Sequence, residues 1–255
     1  MVSGGKVRRL NFLLLHPDEL TAHGTAELRG RRAEHVRTVL RAGPGSRLRA
    51  GIVDGPRGTA VVRQMDADAV TVEIDCAETA PVGADVLLLA VPRPKVLLRM
   101  LAHAAALGFA RIVLFRSWRV EKSHLGSRAM DTAAQREQLL LGLEQAGRTA
   151  LPQVRFCPLF RPMVEDVLPT LGLPPARFVG HPTAAVGTDE LALVRGAPFA
   201  LALGPDGGLL PYEVAAFAAA GFTTIACGPH ALRTETALAV LWGQLDLLRR
   251  RGPRS

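Results

Sequence analysis

Short apolar runs with valine-rich alternation dominate the first eighty residues and predict β-strands. These runs cover residues 10–16, 46–53, 59–65 and 69–74, and turn signals rich in Gly, Pro and Asp separate the last three. Between the first two runs, residues 31–41 place apolar side chains at helical spacing and predict one short helix. Strands this short and this closely spaced are typical of a small barrel.

The pattern changes after residues 78–84, a segment with Pro and Gly that we interpret as a linker. Beyond it, apolar strands alternate with helical segments, which predicts a mostly parallel sheet with helices on both faces. The predicted strands cover residues 85–91, 111–115, 199–203 and 223–226, with shorter ones near Val154 and Phe178; the predicted helices cover 96–107, 128–148, 212–220 and 235–249, with one more between the two shorter strands. We therefore expect an α/β fold in two domains, a small β-barrel over residues 1–80 and an α/β domain over 81–255.

Composition narrows the class of protein. Apolar residues make up 48% and charged residues 21% of the 255, which indicates a globular rather than a disordered chain. No apolar run approaches the roughly 18 residues of a spanning helix, and the apolar part of residues 6–15 is too short for a secretory signal. Three cysteines, Cys76, Cys157 and Cys227, stand in no ligand spacing, which favours a reducing compartment over a disulfide framework or a zinc site. We expect a cytoplasmic protein with no membrane partner and no metal.

The net charge of +8 is unevenly distributed. Residues 1–63 carry 12 basic and 5 acidic residues, and residues 93–161 carry 12 and 4, whereas residues 162–236 carry 3 and 7. Two positive segments that flank a negative one predict a surface that binds a polyanion. A set of solvated helix faces explains the same charges equally well.

Two glycine-bearing loops follow apolar strands near the C-terminus. The first is Leu203-Gly-Pro-Asp-Gly-Gly208 and the second is Cys227-Gly-Pro-His-Ala-Leu-Arg-Thr-Glu-Thr-Ala237. Ligands collect at the carboxyl ends of strands in open α/β sheets, and glycine permits close approach of the backbone. Simple turns explain either loop alone equally well. The fingerprints of dinucleotide-binding dehydrogenases, P-loop enzymes and α/β-hydrolases are absent from the sequence.

Taken together, the two loops closely resemble the signature of the SPOUT-class 16S ribosomal RNA uracil-N3 methyltransferases. Members of that family carry a GP(E/D)GG loop and an LGPRxLRTETA segment. Further matches fall in chain order: residues 34–41 followed by Gly45, Lys95 at the start of a helix, residues 144–148 followed by Pro152, and His181-Pro182 at a strand end. The resemblance therefore covers nearly the whole chain.

The resemblance implies a fold and an activity. The fold is a C-terminal trefoil-knot α/β domain preceded by a PUA-like β-barrel that grips RNA. The activity is methylation of N3 of a uridine in the 16S ribosomal RNA of the small ribosomal subunit. S-adenosyl-L-methionine is the implied methyl donor, bound in the knot loops, and a homodimer is the implied assembly.

The resemblance also implies roles for individual residues. Arg233, a permanent cation, is expected to stabilise negative charge on the uracil as its N3 proton leaves. Glu235 is expected to position Arg233 or to accept a proton. A helix start with Thr234 as N-cap and Glu235 in the first turn explains the same residues without catalysis. The residues expected around the cofactor are His181, Pro182, Leu203, Gly204, Gly207, Gly208, Ala226, Cys227, Gly228, Leu232 and Thr234.

RNA contacts are expected at both positive segments. The residues expected to make them are Arg9, His35, Arg37, Arg41, Lys95, Arg116, Gln145 and Arg148. Arg116, Arg119 and Lys122 follow a strand and suit phosphate contacts, although an ordinary solvated loop explains them as well. Because the chain has few aromatic residues for base stacking, we expect RNA binding to depend mainly on phosphates.

Three departures from the family pattern leave alternatives open. Ala106 stands where the family usually has Glu, His230 where it has Arg, and Asp206 where it usually has Glu. The first two favour a knotted RNA-binding protein with weakened or lost catalysis. A methyltransferase of the same fold that acts on another RNA is the third possibility.

Overall fold

The computed structural model describes residues 12–253, which divide into two compact units. The first unit contains the chain up to Val82 together with Leu140–Leu151, and the second contains Gly83–Leu139 together with the chain from Pro152 onward. The sequence-based division assigned residues 140–151 to the second domain instead. Hydrogen bonds explain the difference: the Asp54 amide donates to the Thr149 carbonyl at 2.9 Å, and the Thr149 hydroxyl donates to the Gly55 carbonyl at 2.8 Å.

Five strands form the sheet of the first unit. They are β1 (Phe12–Leu15), β2 (Thr25–Arg29), β3 (Arg47–Ile52), β4 (Arg57–Met65) and β5 (Ala69–Glu78). Their order is β1-β3-β4-β5-β2, parallel between β1 and β3 and antiparallel elsewhere, which makes a half-barrel with β1 and β2 at its edges. Four of these strands were predicted. The pattern missed β2, because only Ala26 and Leu28 in it are apolar and point to the core.

A short helical segment covers the core of the half-barrel. Helix α1 (Gly30–Glu34) runs into a π-helical turn at His35–Val39, close to the helix predicted over residues 31–41. Ala33 and Val36 are fully buried and pack with inward residues of the strands, among them Leu15 and Leu28. The segment thus covers the core of the first unit with apolar side chains.

Seven parallel strands form the sheet of the second unit. They are β6 (Val86–Ala90), β7 (Arg111–Phe115), β8 (Gln153–Cys157), β9 (Ala176–Gly180), β10 (Val186–Gly187), β11 (Phe199–Leu203) and β12 (Thr223–Ala226). Their order is β10-β12-β9-β11-β6-β7-β8. Every residue of β6 and β11 is buried, as expected for uninterrupted apolar runs in the middle of a parallel sheet. The predicted α/β class with a parallel sheet is therefore confirmed, and only the two-residue β10 was missed.

Helices connect the strands of the second unit. They are α2 (Pro94–Leu107), α3 (Lys122–Leu125), α4 (Thr132–Ala146), α5 (Phe160–Pro162), α6 (Pro211–Ala219) and α7 (Thr234–Arg251). Residues 140–146 of α4 belong to the first unit, and α5 continues through further helical turns to Leu171. Across residues 12–253, no helix combines the length and the apolar character needed to cross a membrane.

A buried ion pair fixes the last helix to the sheet. Arg249 on α7 places Nη1 at 2.8 and 2.9 Å from the two carboxylate oxygens of Asp85, which directly precedes β6. Its guanidinium carbon lies 4.9 Å from the ring centre of Phe199, and the amide of Phe199 donates to the same carboxylate. Because both charges are largely buried and hydrogen-bonded, the C-terminal end of α7 has a defined position.

A second ion pair joins Glu19 to Arg32 within the first unit. Arg32 Nη1 lies 2.8 Å from Glu19 Oε2, its Nη2 binds Oε1, and the His16 amide donates to the same carboxylate at 2.8 Å. Burial disfavours the charged form of Glu19, but the hydrogen bonds from Arg32 and His16 outweigh it and hold the pKa below its ordinary value. The bond to Glu19 correspondingly raises the pKa of Arg32.

We expect Glu19→Gln to lower the free energy of unfolding by about 1–3 kcal/mol at neutral pH, because a charge-assisted pair is lost. Because the pKa of Glu19 is lower in the folded than in the unfolded protein, its ionised carboxylate stabilises the fold at pH values above the ordinary glutamate pKa. This contribution to stability is lost as the pH falls through the lowered pKa. Urea unfolding should therefore show the difference from wild type shrinking below about pH 4. Glu27→Gln, whose pair with Arg29 is exposed, is the control. A difference for Glu19→Gln that stays constant with pH would contradict the pair's role.

Candidate active site

The two glycine-bearing loops meet at the carboxyl edge of the parallel sheet. Strand β9 lies between β11 and β12, and its last residue, Gly180, is paired with Leu203 on one side and with Ile225 on the other. The loops that follow β11 and β12 therefore leave the sheet side by side. The His181 amide continues this pairing by donating to the Ile225 carbonyl at 2.9 Å.

A cavity of about 220 Å³ lies between the loops. Nine of the residues predicted to surround a cofactor line it: His181, Pro182, Leu203, Gly204, Gly207, Gly208, Cys227, Leu232 and Thr234. The other lining residues were not among those expected around the cofactor; they are Gly180, Pro205, Asp206, Leu209, His230, Ala231, Ala237 and Leu241. Most of these belong to the two glycine-bearing loops or adjoin them, whereas only strand pairing and helix packing reveal the contributions of Gly180 and Leu241.

The Thr234 side chain joins the two loops. Its hydroxyl donates to the Gly204 carbonyl at 3.2 Å, although 30 residues separate the two positions, and the side chain is buried. Helix α7 begins at Thr234, and Arg233 occupies the N-cap position. The helix start expected as the alternative to catalysis is present, with Glu235 in the first turn, but the N-cap is Arg233 and the Thr234 hydroxyl is directed to the neighbouring loop. The side-chain amide of Gln244 on α7 donates from Nε2 to the Cys227 carbonyl at 3.3 Å and fixes the second loop to the same helix.

Two glycines of the pocket permit contacts that a side chain would block. A Cβ at Gly204 would lie 2.9 Å from Leu209 Cγ and 3.2 Å from the Leu209 amide nitrogen. A Cβ at Gly180 would lie 2.6 Å from Leu241 Cδ1 and 2.9 Å from Leu203 Cδ2. The pocket wall therefore depends on bare backbone at these positions.

Two residues predicted for the pocket do not line it. Ala226 is the last residue of β12 and is paired with Gly187 of β10. Gly228 is exposed and has a φ of 142° directly after Cys227. Contact of these two residues with the cofactor stays a prediction.

Arg233 and Glu235 lie at the start of α7, outside the pocket lining. Arg233 is exposed, and among residues 12–253 its guanidinium has no hydrogen-bond or ion-pair partner. Glu235 Oε2 instead accepts a hydrogen bond from Arg99 Nη2 on α2 at 2.8 Å. The hypothesis that Glu235 positions Arg233 therefore lacks a direct contact, and Arg99, which sequence reasoning missed, is its observed partner.

Cationic side chains surround this edge of the sheet. Arg93 and the exposed Lys95 follow β6, and Arg93 Nε lies 3.9 Å from the Asp206 carboxylate. Arg116 and Arg119 follow β7, and the Arg119 guanidinium binds the Gly207 carbonyl. Because β6 and β7 run parallel to β11, these residues lie at the same edge as the pocket. The geometry suits an anionic ligand beside a small apolar cavity.

Comparison with known proteins identifies the family. Residues 79–246 match the family model described as RNA methyltransferase domain. The ribosomal RNA small subunit methyltransferase E of Treponema pallidum is 30% identical over 257 aligned positions, which cover 96% of this chain and 95% of that protein. This chain belongs to the ribosomal RNA small subunit methyltransferase E family. The resemblance found in the sequence is thereby confirmed at the level of the family.

Two further relatives agree with this family. A protein of the same name from Mycobacterium bovis is 32% identical over 104 residues, which cover 41% of this chain and 40% of that protein. The crystal structure of the Neisseria gonorrhoeae protein of this name, bound to S-adenosyl methionine, superimposes with a TM-score of 0.74. It is 21% identical and covers 94% of this chain and 98% of its own, so it supports the fold.

A buried carboxylate of this RNA methyltransferase joins two loops at the site. Glu213 on α6 is fully buried; its Oε1 accepts the Trp118 amide at 2.9 Å and its Oε2 accepts the Leu210 amide at 2.8 Å. It thus connects the loop after β7 to the loop that precedes α6. Sequence reasoning missed Glu213, although a glutamate in the first turn of a helix is a recognised capping signal.

The RNA-binding residues predicted in the first unit fall in different settings. His35 and Gln145 line one pocket of about 250 Å³ with Arg31 and Glu144, and Arg31 Nη2 lies 3.4 Å from Glu144 Oε2. The Arg37 guanidinium already donates hydrogen bonds to the backbone carbonyls of residues 66 and 67, which uses part of its hydrogen-bonding capacity.

The remaining residues predicted to contact RNA are Arg41, Arg148 and Arg9. Arg41 is exposed at the end of the π-helical turn with φ 49°, and the Arg148 amide donates to the Leu143 carbonyl at 3.0 Å. Arg9 lies outside the described residues. RNA contact by any of the eight residues stays a prediction.

We expect Glu213→Gln to lower the free energy of unfolding by about 1–3 kcal/mol. Glutamine has one oxygen and one NH₂ group, so one of the two buried backbone amides, Trp118 or Leu210, would lose its acceptor and face another donor. Hydrogen exchange at the Trp118 and Leu210 amides should accelerate beyond the change elsewhere in the chain. The matched control is Glu190→Gln, in which the affected carboxylate accepts the Gly187 amide in an exposed loop. Unchanged exchange at both amides in Glu213→Gln would show that the carboxylate does not hold these loops.

Proposed function

We propose that this chain transfers a methyl group from S-adenosyl-L-methionine to N3 of a uridine in the 16S ribosomal RNA of the small subunit. The observation that carries the proposal is the pocket formed by both glycine-bearing loops, with Arg233, which has no side-chain partner among residues 12–253, at its margin. The relatives support the substrate, since they are named ribosomal RNA small subunit methyltransferases. The Neisseria gonorrhoeae structure supports the cofactor.

The pocket fits a cofactor with apolar and polar parts. Leu203, Leu209 and Leu241 provide apolar walls, and backbone groups of the two loops provide hydrogen-bonding positions. The bare backbone at Gly204 lets the first loop pack closely against Leu209, because a Cβ there would lie 2.9 Å from Leu209 Cγ. Asp206 places a carboxylate at the rim, where it attracts a positively charged sulfonium group. When bound there, S-adenosyl-L-methionine supplies an electrophilic methyl group.

The residues at the start of α7 fit the needs of methylation at a ring nitrogen. Uracil N3 is an imide nitrogen, so its proton must leave before or as the new N–C bond forms. Arg233 is exposed and holds the uracil oxygens as negative charge develops on them, since its guanidinium has no partner within the described part of the chain. Glu235 accepts the proton directly or through water, while Arg99 orients its carboxylate.

The assembly and the compartment belong to the same proposal. The homodimer is the assembly that the resemblance to the family implies, and in this proposal a second copy completes the site. We assign RNA gripping to the first unit as a PUA-like domain, a trefoil knot to the second, and action in the cytoplasm, where small subunits are assembled.

A second function, RNA binding with weakened catalysis, is favoured by His230, which lines the pocket where the family carries arginine. Assaying methyl transfer to small ribosomal subunits that lack the modification separates the two. Transfer followed by mass-spectrometric mapping to N3 of one uridine supports the leading proposal. Cofactor binding without transfer to any RNA supports the second, and a methylated base in another RNA would redirect the substrate assignment.

We expect Gly204→Ala to weaken S-adenosyl-L-methionine binding by about tenfold or more, because the new methyl group overlaps Leu209 and moves the loop. Isothermal titration calorimetry measures the change. Gly243→Ala is the matched control: no atom lies within 4 Å of its Cβ position, and alanine favours the helical conformation of α7. Wild-type affinity in Gly204→Ala would remove this loop from the cofactor site.

We expect Arg233→Ala to reduce kcat by about a hundredfold or more while cofactor affinity changes little, since the charge that it stabilises develops in the transition state. Single-turnover methyl transfer and cofactor titration measure the two effects separately. Arg251→Ala, in the last turn of the same helix, should retain wild-type turnover. Equal losses of turnover and of cofactor affinity in Arg233→Ala would indicate a structural role at the helix start.

A further inference from the structure

The loop after β7 exposes a tryptophan beside the candidate active site. The side chain of Trp118 is 75% exposed, the highest value among the large aromatic side chains of the described residues. A single exposed apolar residue is ordinary on a protein surface. Three further features of this loop distinguish Trp118: its anchoring, its charge and its connection to the pocket.

The backbone that carries Trp118 is fixed on both sides. Ser117 and Val120 are almost fully buried, and the Val120 amide donates to the Ser117 carbonyl at 3.1 Å, which closes a tight turn. The buried carboxylate of Glu213 holds the Trp118 amide at 2.9 Å. The turn therefore presents the indole ring outward from a rigid base, so little backbone entropy is lost when a ligand packs on the ring.

The same turn borders the pocket. The guanidinium of Arg119, the next residue, binds the Gly207 carbonyl in the first glycine-bearing loop. A Cβ at Gly207 would lie 3.2 Å from Arg119 Cδ, so this side chain packs directly on the pocket rim. A ligand that lies on Trp118 is consequently next to the pocket proposed for the methyl donor.

The charge around Trp118 selects the class of ligand. Arg116 and Lys122 lie within a few residues of it, and Arg119 adds its charge although its guanidinium is bound to the Gly207 carbonyl. The single acidic residue in this stretch, Glu121, has its carboxylate 3.7 Å from His124. An exposed aromatic ring among cations is the combination by which proteins hold single-stranded nucleic acid: cations contact phosphates, and the ring stacks on a base.

We propose that Trp118 is a stacking platform for an unpaired base of the substrate RNA at the mouth of the methyl-donor pocket. The proposal rests on the proposed function for the identity of the RNA. A second copy of this chain is a poorer occupant, because a two-fold contact would bring the arginines of one copy toward those of the other. Base contact thus adds to the phosphate contacts expected from the sequence alone.

The test compares three variants in binding to small ribosomal subunits that lack the modification, by co-sedimentation at fixed salt with S-adenosylhomocysteine present. Trp118→Ala should bind on the order of ten- to a hundredfold more weakly than wild type, and Trp118→Phe within about threefold, because a phenyl ring still stacks. Leu159→Ala is the matched control, since Leu159 is 58% exposed and apolar in the same unit. In methyl transfer, Trp118→Ala should raise KM for the subunits and leave cofactor affinity unchanged.

A second readout follows the ring itself. In a Trp242→Phe background, Trp118 is the remaining tryptophan, and its fluorescence should be quenched on RNA binding. Wild-type affinity of Trp118→Ala, or an equal loss in Trp118→Phe or Leu159→Ala, would overturn the platform. The platform would also be overturned if sedimentation velocity showed that Trp118→Ala dissociates a dimer, because the indole ring would then contact a second copy of the chain. Failure of wild type to methylate any RNA would defeat the proposed function instead, and the binding comparison would still decide the platform.

Discussion

The hydrogen bond from the Thr234 hydroxyl to the Gly204 carbonyl joins two loops that are remote in sequence, and the candidate site depends on this junction. Each loop alone is an ordinary turn after a parallel strand. The bond brings the start of α7 against the first loop, and the Asp85–Arg249 pair fixes the other end of the same helix to the sheet. The position of Arg233 therefore follows from contacts at both ends of one helix.

The charges at this edge of the sheet have separate tasks. Arg99 is engaged with Glu235 and Arg119 with the first loop, whereas Arg233 has no partner among the residues that the structure describes. Cations that already hold protein groups stabilise the site, and a cation without a protein partner is available to a ligand. This division follows from geometry and could not be obtained from the net charge, which counts all arginines alike.

Most of the fold could be predicted from the sequence because most of its strands are short, largely apolar runs separated by turn signals or helical segments. The failures have physical causes: β2 carries only two inward apolar residues, and β10 has only two residues in all. Residues 140–146 end the helix α4 and residues 147–151 follow it, and the hydrogen bonds of Thr149 and Leu151 to Gly55 and Asp54 have no local signal in the sequence.

The candidate site was predicted where its residues belong to the recognised loops, and missed where tertiary contacts place them. Gly180 ends a strand of no distinctive sequence, and Arg99 looks like any exposed residue of α2. Glu213 and Trp118 are linked by a bond between residues 95 positions apart. Glu213 matters because it is buried, and Trp118 matters because it is exposed. Neither property can be read from the residue type alone.

The crystal structure of the chain with S-adenosylhomocysteine bound tests the central claim most directly. The account predicts ligand density in the cavity between residues 203–209 and 227–234, with the Thr234–Gly204 hydrogen bond intact and Arg233 facing the open side of the ligand. Density at another place on the sheet, or loops that separate to leave Thr234 without Gly204, would contradict it.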